Sequence, residues 1–185
     1  MMTQSLLPAV LSALLWAHGS HADGASEFVG RGQIQVLNNT DVATASIADR
    51  IGCMNARGEF VLDDCAVFTR LDASPNTLST SAGNCTFQNP NMPLNTDSIY
   101  GQDSHSWFCG EGKWTQYDEY YYTIEGFLRP FVCNGNINCN YDIKAIVPTE
   151  GDALPAWQYY WGSQQMDIEA GHWRVLWLWV PVDKE

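Results

Sequence analysis

Aromatic side chains are the residues of this chain best equipped for a chemical task. The sequence holds 8 Trp, 8 Tyr and 7 Phe. Flat rings stack on the apolar faces of sugars while neighbouring amides and carboxylates bond the hydroxyls. Trp157, Tyr159 and Trp161 alternate along one segment with Gln158, Gln164 and Gln165 close by, and Trp107, Trp114, Tyr117 and the run Tyr120-Tyr121-Tyr122 form a second group. Trp157, Tyr159, Trp161, Trp107 and Tyr121 are therefore the expected ligand contacts. The competing expectation is that the same rings fill a small β core, which a contiguous exposed strip of aromatics would reverse.

Acid–base chemistry is the second possibility. Only His105 and His172 lie well beyond the apolar N-terminal stretch, and with Glu125 and Arg129 they could form a general acid–base site of a secreted ribonuclease type. Paired carboxylates could instead cleave a glycosidic bond, given the right separation; Asp118, Glu119, Glu125, Asp142, Asp167 and Glu169 sit within or beside the aromatic regions. Ser104 and Ser106 flank His105, but no GxSxG elbow or phosphate-binding glycine loop occurs. Asp63-Asp64, Asn95-Thr96-Asp97 and the stretch from Asn138 to Asp142 offer oxygen ligands without matching a calcium loop, and such turns commonly cap their own backbone. The reading that follows is a binding protein with no cofactor and no metal, with a secreted hydrolase as the alternative.

The surroundings are legible in the chain. Leu6 to Ala17 is an unbroken apolar run, and no charged side chain precedes Asp23. This is the form of a secretory signal peptide over 1–22, with small residues Ser20 and Ala22 marking the cut. Cleavage after Ala17 would instead expose His18 as a copper-chelating terminus, a weaker fit. Six cysteines follow, with no CxxC pair to suggest zinc. An even count in an exported chain implies disulfides, and pairing of sequence neighbours, Cys53–Cys65, Cys85–Cys109 and Cys133–Cys139, closes three local loops. Asn38-Asn39-Thr40 and Asn84-Cys85-Thr86 are glycosylation acceptors in form. With 21 acidic against 9 basic side chains, a net charge of −12 disfavours nucleic acid, whose binders present basic patches. A monomer outside the cell is expected, with no membrane anchor and a polysaccharide or a host extracellular protein as partner.

The elements that must position these residues are strands. Residues 23–32 read as a loose arm, and from Gln33 a single domain runs to Glu185. Period-two alternation broken by turn residues marks Gln33 to Leu37, Gly58 to Leu62 paired with Cys65 to Leu71, Thr77 to Ser81, Cys85 to Gln88, Tyr120 to Phe127, Arg129 to Asn134, Tyr141 to Val147, Trp157 to Trp161 and His172 to Val182. Asn89 to Gly101 is a long loop, and Asp41 to Arg50 is a short helix or a strand. In the last strand Trp173, Val175, Trp177 and Trp179 face one way and Leu176, Leu178 and Val180 the other, so it should be central and covered on both sides. The fold class is all-β: an antiparallel sandwich or barrel of roughly eight to ten strands stapled by disulfides.

Ile51-Gly52-Cys53-Met54-Asn55, then Gly58, Phe60, Asp63-Asp64-Cys65 and Phe68-Thr69, resemble the cysteine-bounded hairpin of small secreted proteins from filamentous ascomycete fungi. The stretch Thr77 to Thr86 adds to the likeness. The resemblance covers about a fifth of the chain and carries no catalytic motif; it implies an extracellular, effector-like fungal protein.

Overall fold

A computed structural model describes residues 28–71, 77–112, 120–135 and 139–182. The expected leader over 1–22, Trp114, Tyr117, Asp118, Glu119 and Asn138 lie outside the described residues. Among the described residues ten antiparallel strands form one sheet: β1 (Arg31–Leu37), β2 (Arg50–Met54), β3 (Phe60–Val61), β4 (Phe68–Arg70), β5 (Leu78–Thr80), β6 (Gly83–Thr86), β7 (Phe108–Gly110), β8 (Asn140–Lys144), β9 (Ala156–Gln158) and β10 (His172–Pro181). The path runs β7-β6-β5-β4-β1-β10-β8-β9, with β2 also paired to β1 and β3 to β2. The two ends approach each other, because the Trp107 N–H donates to the Ala156 carbonyl at 2.7 Å. Of the two all-β architectures expected, the chain thus takes the barrel-like one: a single curled sheet, half closed on itself.

Strand β10 lies between β1 and β8, as its two apolar faces require. Its inner face packs Val175, Trp177 and Trp179 against Ile34 and Val36 of β1 and Tyr141 and Ile143 of β8. The Trp177 ring stacks flat on Tyr141 at 3.5 Å and lies 4.7 Å from that of Trp107. On the outer face Leu176 and Leu178 join Leu37, Phe131 and the Cys133–Cys139 bridge in a second buried cluster. The segment 120–135 supplies that cover. It does so without forming the two strands expected there, making only the isolated bridges Tyr122↔Cys133 and Phe131↔Leu178; Gly126 and Pro130 interrupt a regular ladder.

Other departures have local causes. β3 pairs with β2 rather than with the segment after Asp63-Asp64, because the Cys53–Cys65 bridge folds 62–67 back over the hairpin; β4 is then free to pair with β1 and β5. Asp41 to Arg50 is neither helix nor strand over its length. A single 3-10 turn, Ile47–Asp49, is held by a capping box in which Ser46 Oγ accepts from the Ala48 N–H and Asp49 accepts from the Ser46 N–H at 2.8 Å. Part of the expected arm belongs to the fold: Arg31 and Gly32 are in β1, and Phe28 is buried edge-on to Trp179 at 5.1 Å. Gly32 is required there, since a Cβ would sit 2.4 Å from the Trp179 indole.

Three disulfides join Cys53 to Cys65, Cys85 to Cys109 and Cys133 to Cys139. They point to an oxidising, extracellular-type environment. Among the described residues no helix is long and apolar enough to cross a membrane. Asn38 is exposed just after β1, whereas Asn84 is half-buried in β6, its sequon completed by a bridged Cys85 and a fully buried Thr86.

Candidate functional site

The outer face of the β9-β8-β10 edge carries most of the buried charge described in the molecule. Register dictates this placement: Tyr141, Ile143 and Val175 take the inner face, so Asp142, Lys144, His172 and Arg174 must point outward. His172 stands opposite Lys144, and Trp157 of β9 stands opposite Asp142. The long loop after Asn89 folds over them, anchored where the Trp157 indole N–H donates to the Pro93 carbonyl at 3.0 Å.

Beneath that loop lies a chain of polar contacts. Asp142, 2% exposed, accepts from His172 Nδ1 at 2.5 Å and from Asn95 Nδ2 at 2.7 Å. The other imidazole nitrogen, Nε2, lies 2.9 Å from Lys144 Nζ and 3.3 Å from Asp97 Oδ2, while Lys144 itself donates to Asp97. Burial pushes the Asp142 carboxyl above the usual carboxylate range, against the opposing pull of its His172 and Asn95 donors. Asp97, at the surface, is held below that range by the Lys144 ammonium and then by His172. A carboxylate–imidazole pair is the arrangement that orients a general base, but here no substrate can reach it. The His172 side chain is 1% exposed and both its nitrogens are occupied. The network instead fixes the loop 95–97 to strands β8 and β10.

That loop presents an exposed face. Ile99, Tyr100, Trp161 and Met166 are all solvent-exposed, Trp161 by 56% and Tyr100 by 40%. Two loops hold them together: the Ile99 N–H donates to Gln165 Oε1 at 2.6 Å, and the Gln164 N–H donates to the Tyr100 hydroxyl at 3.0 Å. Ser98 Oγ lies 3.4 Å from the buried Gln165 amide nitrogen. The Tyr100 ring lies so close to Gly162 that a Cβ there would meet it at 2.3 Å. Bonds from Ser163 and Gln164 hold the Tyr100 phenol below its ordinary value. The result is an aromatic and aliphatic surface on a rigid base, with exposed Asp97 and Gln164 nearby in sequence.

The structure separates the expected contact residues. Trp161 is exposed. Trp157, Tyr159, Trp107 and Tyr121 are buried and offer no stacking face. Trp107 and Tyr121 fill the interior of the curled sheet, where the Trp107 indole N–H donates to the Tyr121 hydroxyl at 2.6 Å; Trp157 lies under the Pro93 loop; Tyr159 lies beneath the Arg174 guanidinium, 5.4 Å from its ring centre. A sheet curled this far has a wide inner face, and large rings are what fill it. The expected histidine site does not assemble either. His105 bonds the Met92 carbonyl at 3.2 Å, His172 is enclosed as described, and Glu125 and Arg129 belong to the segment covering the other end of β10. Among the described residues no group of three or more His, Cys, Asp or Glu is placed to hold a metal.

Tyr100, Ile99 and the Asp97–Lys144–His172–Asp142 network were not legible as a site. One signal was available: Asp142 interrupts an otherwise buried strand, Asn140–Lys144, and a carboxylate there needs donors from elsewhere. Compared with protein-family models, with curated proteins and with solved structures, the chain gives no match.

Proposed function

We propose that this protein acts outside the cell by binding, and that its ligand is a glycan held on the face formed by Trp161 and Tyr100. The observation that carries the reading is the exposure of these two rings on loops pinned by the buried Asn95–Asp142 and Gln165–Ser98 contacts. Such a base reduces the ordering cost of binding, and Gln164 and Asp97 supply the polar partners that sugar hydroxyls need. The apolar leader, the disulfides and the sequons support export, and the resemblance of the Cys53–Cys65 hairpin supports a fungal, effector-like setting.

Glycan-array binding of the purified protein, repeated with Trp161→Ala and Tyr100→Ala, tests this. Each substitution should weaken binding at least about tenfold; Trp161→Ala should leave the thermal midpoint unchanged, whereas Tyr100→Ala also removes the bond to Gln164 and should lower it. Silence on every polysaccharide, or unchanged binding by Trp161→Ala, refutes the glycan reading. Capture of a host surface protein through the same residues would move the face to protein recognition.

A further inference from the structure

At the end of β1 the chain leaves the sheet at Asn38, and there the first acceptor sequence, Asn38-Asn39-Thr40, comes to the surface. Asn38 and Thr40 are exposed and Asn39 is half-buried. The backbone is held while the two ends of the triplet stay open. The Asn38 N–H donates to the Asp49 carbonyl at 3.0 Å, Asn39 Nδ2 donates to Asp49 Oδ2 at 3.2 Å, and Asn39 Oδ1 accepts from the Asp41 N–H at 2.9 Å. These bonds use only the backbone and the middle side chain. Among the described residues the Asn38 carboxamide and the Thr40 hydroxyl make none. An N-linked acceptor needs an amide nitrogen to take the sugar and a hydroxyl two residues on. Both are open to solvent here.

The second sequence of this form is closed. Asn84 lies within β6, opposite Ser79 on one side and Gly110 on the other. Cys85 is bridged to Cys109, and Thr86 is fully buried, its hydroxyl oxygen accepting from the Gln88 N–H at 2.9 Å. Two sites alike in sequence therefore differ in what the fold leaves available.

We propose that Asn38 carries an N-linked oligosaccharide in the exported protein and that Asn84 stays unmodified. The assignment rests on the export reading, which the apolar leader and the disulfides support. The sugar comes from an oligosaccharide joined to a lipid through pyrophosphate. Asn38 Nδ2 attacks the anomeric carbon, the anomeric C–O bond breaks, the lipid pyrophosphate departs with the bonding pair, and the amide gives up one proton. The product is a neutral secondary amide. It costs the fold nothing, because the Asn38 side chain has no hydrogen bond among the described residues to lose.

The full chain, secreted by a yeast host, tests this by peptide mass mapping before and after an amidase that releases N-linked sugars and converts the modified asparagine to aspartate. The treatment should remove the whole oligosaccharide mass, with the conversion at position 38 and none at position 84. Asn38→Gln and Thr40→Ala should each be secreted without oligosaccharide, since neither side chain makes a bond within the described fold. A secreted protein bare at Asn38, or one carrying sugar at Asn84, overturns the proposal and leaves export standing. A chain kept inside the cell with residues 1–22 still attached overturns both.

Discussion

Asp142 shows how one side chain can tie distant segments together. It draws His172 from the start of β10 and Asn95 from the overlying loop to a single carboxylate. Desolvation raises its folded value above the 3.8 of a free aspartate, so the native state holds a proton more firmly than the unfolded chain does. Its contribution to stability accordingly declines as pH rises from about 3.8 through the native value. Asp97 runs the other way: its folded value is lowered, so its contribution is complete above about 3.8 and is lost as pH falls below that point. Urea midpoints measured across the acid range should show both slopes. Asp142→Asn should remove the decline above about pH 4 and Asp97→Asn the loss below it; variants that reproduce the parent profile would show that neither group is coupled to folding. None of this was readable from residue types. Asn95, Asp97 and Asp142 stand out in the sequence as oxygen-bearing positions, but His172 lies 75 positions from Asp97 and 30 from Asp142, and only the strand register brings them together.

Among the elements, β1 and β10 set the geometry for the rest. Their side-by-side pairing, with Ile34 opposite Trp179 and Val36 opposite Trp177, leaves no room for a side chain at Gly32. Gly32→Ala would drive a methyl into the Trp179 ring, which is buried and edged by Phe28. The expected cost is roughly 1–3 kcal/mol of overpacking, read as a lower urea midpoint with unchanged far-ultraviolet dichroism; a neutral substitution would mean that β1 can shift along its partner. β10 was legible because period-two alternation of Trp, Val and Leu survives in any register. The segment 120–135 misled for the same reason. Its Tyr-rich, β-branched content fits a strand, yet it serves as a lid over Leu176 and Leu178, pinned by Cys133–Cys139 and broken at Gly126 and Pro130. β7, with Gly110 at its end and a two-position lead-in, gave too short a pattern to be seen.

For the molecule as a whole, a half-closed sheet depends on the backbone bond from Trp107 to Ala156 where its ends meet, and one disulfide braces the strand pair beside that bond. Cys85 and Cys109 face each other across β6 and β7, the strands nearest the closing contact to β9. Replacing both with Ala should cost about 3 kcal/mol, as expected for a loop of this length, and should appear as a lower thermal midpoint of the otherwise oxidised protein. No change would mean that the closing contact holds without the bridge. Aromatic abundance reads differently at this scale. The sequence counts rings but not which side of a curled sheet they occupy, and only the curvature assigns Trp107, Tyr121, Trp157 and Tyr159 to the interior while leaving Trp161 outside.

The burial of Thr86 beside the bridged Cys85 takes the Asn84 acceptor tripeptide out of reach in the folded protein. A transferase must grip the acceptor tripeptide in an extended, accessible form, and β6 in its finished place, between β5 and β7, offers Asn84 only from the side. If the chain is exported as proposed, an oligosaccharide at Asn84 has to be attached before β6 pairs with β7 and Thr86 is buried.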